Sequence, residues 1–152
     1  MTIYFGADHR GFDLKEKLKA ALHSEAYEVV DLGAAEEDPA DDYPDFAGAV
    51  AAKVSASPEA TRGIVICGSG FGVDITANKF KGVRAALAAS PDHIYQGRHD
   101  DDVNVLAIAA DGTDEATALK IAKVFLATPF AADERYRRRI QKIADLEEGS
   151  QK

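Results

Sequence analysis

Residues 64–79 read IVICGSGFGVDITANK, and this stretch decides the fold. The run 63–67 is continuously apolar, as expected of a parallel strand that is covered by helices on both faces. A glycine-rich turn follows it, and a helix should begin near Phe71–Val73 and run to Lys79. A buried strand that leads through a tight turn into a helix predicts an α/β fold.

The same alternation of short strands and helical patterns extends towards both ends of the chain. The patterns predict strands at 2–7, 27–32, 63–67, 83–89 and 103–109, and further helices over 12–24, 44–56, 114–127 and 133–147, with another that starts at Pro91. This order predicts a three-layer α/β/α sandwich with a five-stranded parallel sheet, Rossmann-like in its winding. We expect residues 1–152 to form one domain.

The composition limits the class of function. The formal net charge of −8 at pH 7 argues against nucleic acid or an anionic membrane surface as a partner. The single cysteine fits a reducing compartment. The first residues lack the pattern of a signal peptide, and no run approaches transmembrane length. We therefore expect a cytoplasmic protein with no nucleic acid and no membrane among its partners.

The strand-to-helix loops of such a sheet lie at one edge, where ligands of these folds bind. We expect three segments to meet there, namely 6–11, 67–72 and 97–103. The candidate functional residues are therefore sought in these segments.

The glycine-rich turn places Gly68, Gly70 and Gly72 in alternation with Ser69 and Phe71. Small residues let backbone N–H groups converge at a helix start, which favours an anion or a developing oxyanion. The spacing matches neither the dinucleotide-binding fingerprint nor a P-loop. A tight turn without a ligand is the alternative interpretation.

Cys67 stands at the end of the strand, directly before this turn. A helix dipole and nearby amides favour the thiolate, which suits a base working near neutral pH. The alternative is a small buried hydrophobic residue, the usual role of a free cysteine. The neighbouring glycines favour the chemical role.

Two other groups of polar residues are candidates for ligand binding. Asp8 and His9 follow the first strand, where His9 could bind an anion and Asp8 a sugar hydroxyl, although capping or surface positions are the alternatives. The last helix carries Arg135 and Arg139 at i, i+4 spacing, which suits a phosphate. A solvated basic face is the alternative for these arginines.

Taken together, the sequence resembles the type B ribose-5-phosphate isomerases, a family that includes galactose-6-phosphate and allose-6-phosphate isomerases. The matching segments cover nearly the whole chain in order: FGADHRGFDLK (5–15), DYPDFA (42–47), ICGSGFGVDITANKFKGVRAA (66–86), NVLA (104–107) and R-x-x-x-R (135–139). The resemblance implies strand order 2-1-3-5-4 and an aldose–ketose isomerase that uses no metal or other cofactor. It also implies a homodimer or homotetramer whose active sites are completed by the neighbouring subunit.

The resemblance also assigns roles to residues. Cys67 is the base that moves a proton between C1 and C2 through an enediolate, and Ser69 bonds a sugar oxygen. Some relatives use a glutamate further along the loop instead, but that position is Val73 here. The substrate-binding positions fall on Asp8, His9, Tyr43, Gly68, Gly70, Phe71, Gly72, Asp101, Arg135 and Arg139.

Three acidic residues depart from the family pattern. The His-Asn pair of the ribose-phosphate enzymes, whose histidine opens the sugar ring, falls on Asp100 and Asp101, and His99 lies one residue early. A family arginine falls on Asp111. We expect Asp100 to contribute more to turnover than His99. These carboxylates disfavour a phosphate dianion unless they turn away.

The departures leave the substrate open. The default pair is ribose 5-phosphate and ribulose 5-phosphate, and substrates that are open-chain in solution, such as tetrose phosphates, should react better than cyclic ones. The alternatives are another sugar phosphate, a sugar acid or an unphosphorylated sugar. A non-catalytic phosphosugar sensor is the alternative outside the enzymes.

Overall fold

The computed structural model describes residues 1–149, which form five strands and six helices. The strands are β1 Thr2–Ala7, β2 Glu28–Asp31, β3 Thr61–Cys67, β4 Ala85–Leu87 and β5 Val105–Ala109. The helices are α1 Phe12–Ser24, α2 Tyr43–Ala56, α3 Phe71–Ala77, α4 Pro91–Asp101, α5 Glu115–Ala127 and α6 Glu134–Gly149. Over residues 1–149, none of these helices is both long and apolar enough to cross a membrane.

All five strands pair in parallel, in the order β2-β1-β3-β5-β4. This confirms the α/β fold, the five-stranded parallel sheet and the strand order that the resemblance implied. In the register of the central strands, Ile66 lies beside Ala7 and Cys67 beside Ala109. The carboxyl ends of β1, β3 and β5 therefore end at one level of the sheet.

Two hydrophobic layers cover the sheet, and the alternation of side chains along β3 divides its residues between them. Ile64 and Ile66 pack into the layer beneath α1, α4 and α5. Val65 and Cys67 pack into the layer beneath α2 and α3. Each fully buried aliphatic side chain of these layers contributes about 1.5–3 kcal/mol. The continuous apolar run of β3 thus reflects burial on both faces.

The predicted boundaries differ most around β4. This strand has three residues instead of the seven predicted, and Asn104 bonds the segment that precedes it. The Asn104 side-chain oxygen accepts the Arg84 N–H at 2.8 Å, and its amide donates to the Gly82 carbonyl at 2.9 Å. The Asn104 N–H also donates to the Arg84 carbonyl at 3.0 Å, so side-chain and backbone bonds together hold the segment before β4. The strands themselves begin at Ala85 and at Val105.

The segment 97–103 lies at the opposite edge of the sheet from the one predicted. Helix α4 links the carboxyl end of β4 to the amino end of β5, so it runs antiparallel to the strands. Its last residues are therefore held at the start of β5, where the Arg98 guanidinium donates to the Val103 carbonyl at 2.6 Å. The prediction that 97–103 joins the loops after β1 and β3 is wrong, because this segment leads from a helix into a strand.

Candidate active site

The loop after β3 surrounds the Cys67 thiol. Cys67 is buried, with 4 % of its surface exposed, and the Gly70 N–H donates to its sulfur at 3.2 Å. Gly70 has φ +77°, in the left-handed region that a side chain rarely adopts. The glycine therefore permits the turn that aims a backbone N–H at the sulfur.

The loop after β1 holds Asp8 and His9 beside this turn. Asp8 is buried, and its carboxylate accepts the Gly11 N–H at 3.0 Å. One carboxylate oxygen of Asp41 contacts His9 twice, at 3.0 Å from the backbone nitrogen of His9 and at 2.7 Å from its Nδ1. This hydrogen bond raises the pKa of His9 above its ordinary value of 6.5. His9 therefore keeps its positive charge to higher pH than a free histidine.

Tyr43 covers the first turn of α3. A Cβ added to Gly72 would lie 2.6 Å from Cε2 of the Tyr43 ring, so the ring contacts the backbone at this position. Ser69 and Phe71 are exposed on the same loop. The carboxyl edge of the sheet therefore brings together the predicted residues from three segments: Asp8, His9, Tyr43, Cys67, Gly68, Ser69, Gly70, Phe71 and Gly72.

A second group of predicted residues surrounds Tyr136. The His99 ring stacks on Tyr95 at 5.4 Å between centroids and meets the edge of Tyr136 at 6.0 Å. The Arg135 and Arg139 guanidinium groups lie 4.5 and 5.9 Å from the Tyr136 ring centroid. We call these five residues the Tyr136 cluster.

Two aspartates adjoin the Tyr136 cluster. Asp100 accepts a hydrogen bond from the His99 side chain, with 2.7 Å between Oδ1 and Nδ1. This bond and one from Tyr136 lower the pKa of Asp100 below its ordinary value of 3.8. Asp101 is exposed and lines a groove of about 720 Å³ between the α3–β4 segment and α6. Asp100 is therefore a carboxylate at neutral pH, able to accept a proton but not to supply one.

Within one chain these two groups lie at opposite edges of the sheet. Cys67 ends β3, whereas the Tyr136 cluster adjoins the end of α4, next to the start of β5. The five residues of β5 alone separate the edges by about 16 Å. The sequence-based expectation of one shared site is thus not met within a single subunit.

Two residues of the carboxyl edge were missed from the sequence. Asp41 lies in the acidic stretch 34–42 and is 32 residues from His9, with which it pairs. Arg10 pairs with Asp111, 101 residues away. Neither contact has a local spacing signal, because each one forms between loops that only the sheet brings together.

The chain matches the family model described as Ribose/Galactose Isomerase over residues 3–143. It is 40 % identical over 146 residues to the probable ribose-5-phosphate isomerase B of Mycoplasma genitalium, covering 96 % of this chain and 95 % of that protein. It is 38 % identical over 147 residues to ribose-5-phosphate isomerase B of Mycobacterium tuberculosis, covering 97 % and 90 %.

Two solved structures are similar over almost their whole length. The Mycoplasma genitalium ribose-5-phosphate isomerase B with bound ribulose-5-phosphate has a TM-score of 0.94 and 40 % identity, covering 97 % of this chain and 96 % of that one. The Clostridium thermocellum ribose-5-phosphate isomerase B has a TM-score of 0.93 and 36 % identity, with 99 % of each chain covered. The likeness includes both edges of the sheet.

Proposed function

Because the chain belongs to the ribose/galactose isomerase family and is an aldose–ketose isomerase, we propose that it interconverts ribose 5-phosphate and ribulose 5-phosphate with Cys67 as the base. The observation that carries the proposal is the Gly70 N–H aimed at the Cys67 sulfur, 3.2 Å away, at the carboxyl edge of the sheet. Ligands of open α/β sheets bind at this edge. We treat residues 1–152 as one isomerase domain, and the cytoplasmic location stays a prediction.

In the proposed reaction, the thiolate removes the proton from C2 of the open-chain aldose. The electron pair of that C–H bond forms the C1–C2 double bond, and the aldehyde oxygen becomes an oxyanion. The thiol then returns the proton to C1, while the proton of the C2 hydroxyl passes to the C1 oxyanion. The oxygen on C1 thus becomes a hydroxyl as the oxygen on C2 becomes the ketone. The amides of Gly68–Gly72 are placed to stabilise the oxyanion, and Ser69 is placed to bond a sugar oxygen.

We further propose that two copies of the chain build each site. One subunit supplies Cys67, its loop and the residues around it, and the partner subunit's Tyr136 cluster supplies the imidazole and the arginines. The support is the separation of the two groups in one chain, since the thiol lies in one group and the two arginines lie in the other. Arg135, Arg139 and His9 would then bind the phosphate, with Asp8 and Tyr43 on the sugar side.

We assign ring opening to His99 and Asp100 acting as a unit, with Asp101 beside them. Asp100 is a carboxylate and cannot protonate the ring oxygen, but it fixes the His99 ring through Nδ1. The Nε2 of His99 is then the group that exchanges a proton with the sugar. The sequence favoured Asp100 over His99, and the geometry favours His99 as the proton-carrying group. The double variant H99A/D100A should lose no more turnover than H99A, because removing either residue disables the unit.

Replacement of Cys67 tests the mechanism. Cys67→Ala removes the base without opening a large cavity, so turnover of ribose 5-phosphate should fall by at least about 10²–10⁴-fold while the unfolding temperature changes little. Ser69→Ala is the matched control on the same loop and should retain more activity, since it loses a hydrogen bond and not the base. Activity near wild type in Cys67→Ala would rule out the thiol as the base.

Mixing of inactive subunits tests the shared site. Cys67→Ala and His99→Ala chains fail at different halves of the proposed site. Refolding the two variants together should therefore recover activity, because a mixed dimer contains one site with both halves intact. Each variant refolded alone is the control. Mixed dimers that form, as shown by mass, but stay inactive would contradict a site built from two copies.

An open-chain substrate is the second candidate, and the lowered pKa of Asp100 favours it. Because Asp100 cannot protonate a ring oxygen, ring opening would depend on His99 alone, and sugars that need no ring opening avoid this step. A panel of tetrose, pentose and hexose substrates, each with and without phosphate, decides between the candidates. A thermal shift with phosphosugars but no turnover anywhere in the panel would favour the sensor.

A further inference from the structure

The ion pair between Arg10 and Asp111 lies at the carboxyl edge, beside the Cys67 loop. We propose that Arg10 binds the phosphate group of the substrate and that Asp111 orients its guanidinium. This inference rests on the proposed function and names a specificity-determining residue for that site.

The pair spans the end of β3. Arg10 comes from the loop after β1 and Asp111 from the loop after β5, and the Asp111 N–H also donates to the Gly68 carbonyl at 3.0 Å. A Cβ added to Gly68 would lie 2.5 Å from Nε and 2.8 Å from Nη1 of Arg10. The guanidinium therefore rests directly on the glycine-rich loop.

Arg10 remains open to a ligand in this position. Its side chain is 55 % exposed and that of Asp111 is 50 % exposed. A guanidinium has five N–H donors in a planar fork, and the bond to Asp111 uses an Nη2 hydrogen. The remaining donors can take the oxygens of a phosphate in the bidentate manner that arginine favours.

Positive charges are rare on the loops at this edge of the sheet, and Arg10 supplies one of them. Among residues 1–149, Arg10 is the only arginine or lysine on a strand-to-helix loop. The loop after β2 instead carries the acidic stretch 34–42, and His9 is already paired with Asp41. A phosphate dianion that enters this edge therefore meets one permanent positive charge from the same chain as Cys67.

The side of the strand on which Arg10 lies indicates the end of the sugar that it contacts. Ile66 and Cys67 pack on opposite faces of the sheet, and Gly68 continues the Ile66 side. The guanidinium thus lies across the end of β3 from the sulfur. A group at this place suits the phosphate end of the substrate and not the carbons that exchange the proton.

The test is the kinetics of Arg10→Met, which keeps the length of the side chain and removes its charge. An interaction with a remote part of the substrate is equally strong in the ground state and the transition state. Its loss therefore raises KM and leaves kcat unchanged. We expect the KM for ribose 5-phosphate to rise about 10- to 100-fold, with kcat within about threefold of wild type. Inorganic phosphate should weaken as a competitive inhibitor by a similar factor. Arg10→Lys should recover part of the loss.

Lys17→Met is the matched control. Lys17 on α1 forms an ion pair with Glu115 on α5, and their side chains are 56 % and 58 % exposed, similar to those of Arg10 and Asp111. The KM of Lys17→Met should equal that of wild type. An unchanged KM in Arg10→Met, or a fall in kcat alone, would overturn the role of Arg10 while leaving the isomerase function intact. A wild-type protein without turnover on any sugar phosphate would instead refute the proposed function itself.

Discussion

Gly70→Ala should destabilise the protein more than Gly82→Ala, although the two glycines share a backbone conformation. Their φ angles are +77° and +74°. A side chain in this left-handed region costs about 1–2 kcal/mol, a penalty common to both variants. A Cβ on Gly82 would have nothing within 4 Å. A Cβ on Gly70 would press on the Leu87 side chain and lie 3.1 Å from the Ala109 backbone nitrogen.

The difference between the two variants measures the packing around the active-site turn. Forcing an extra carbon into a packed site costs about 1–3 kcal/mol. The expected loss is then about 1–2 kcal/mol for Gly82→Ala and about 2–5 kcal/mol for Gly70→Ala. For a protein of this length, a loss of 1 kcal/mol lowers the unfolding temperature by about 2–4 °C, so the variants should differ by about 2–12 °C.

Thermal unfolding followed by circular dichroism measures this difference, and both variants should unfold in one cooperative step. Gly70→Ala should also lose turnover, since its N–H would move away from the Cys67 sulfur. Equal unfolding temperatures for the two variants would refute the reasoning, because the shared backbone strain would then account for the whole effect.

Three further predictions concern the surroundings of the site. Asp41→Asn should lower the pKa of His9, because it weakens the hydrogen bond that raises this pKa. His9 loses its positive charge as the pH rises through its pKa, so inhibition by inorganic phosphate should weaken at a lower pH than in wild type. Superimposable pH profiles of inhibition would show that Asp41 does not control His9. Gly72→Ala should displace the Tyr43 ring and raise KM. Gly48→Ala is the control, because its Cβ would lie at an ordinary contact distance of 3.6 Å from Phe80 Cζ, and it should leave KM unchanged in the same assay. A KM that is unaffected in both variants would exclude Tyr43 from the substrate site. Asp31→Ala should cost about 1.5–3 kcal/mol in urea unfolding, since the fully buried ammonium of Lys15 loses its 2.7 Å partner and keeps only the Glu16 carboxylate at 3.1 Å and the Ala34 carbonyl at 2.9 Å. Glu148→Ala, in an exposed pair, should cost less than about 1 kcal/mol. Similar losses would mean that burial of Lys15 carries no penalty.

The sheet and its helices could be predicted because their signals are local. The apolar run of β3 and the helical spacing of Leu14, Leu18 and Leu22 are visible in the sequence and correspond to buried residues. The short β4 could not be predicted, because the run 83–89 carries no local signal that confines the strand to Ala85–Leu87. The burial of Lys15 could not be predicted either, since a lysine at a helical position gives no sign of an aspartate partner on β2.

The candidate site was half predictable for a related reason. Cys67 and the glycines beside it could be predicted because they stand at the end of a recognisable strand, and Asp8 and His9 could be predicted in the same way after β1. The error over 97–103 came from treating a segment rich in polar residues as a strand-to-helix loop. The predicted order, a helix from Pro91 followed by a strand at 103–109, already places His99 before a strand and so at the other edge of a parallel sheet.

The two outer strands of the sheet are also its shortest, with four residues in β2 and three in β4. An edge strand exposes unpaired N–H and C=O groups, and a long one acts as a template on which another chain can add a strand. This sheet offers little such template on either side, which limits aggregation by strand addition. The shared site proposed above would therefore be formed by helices and loops and not by a sheet that continues from one subunit into the next.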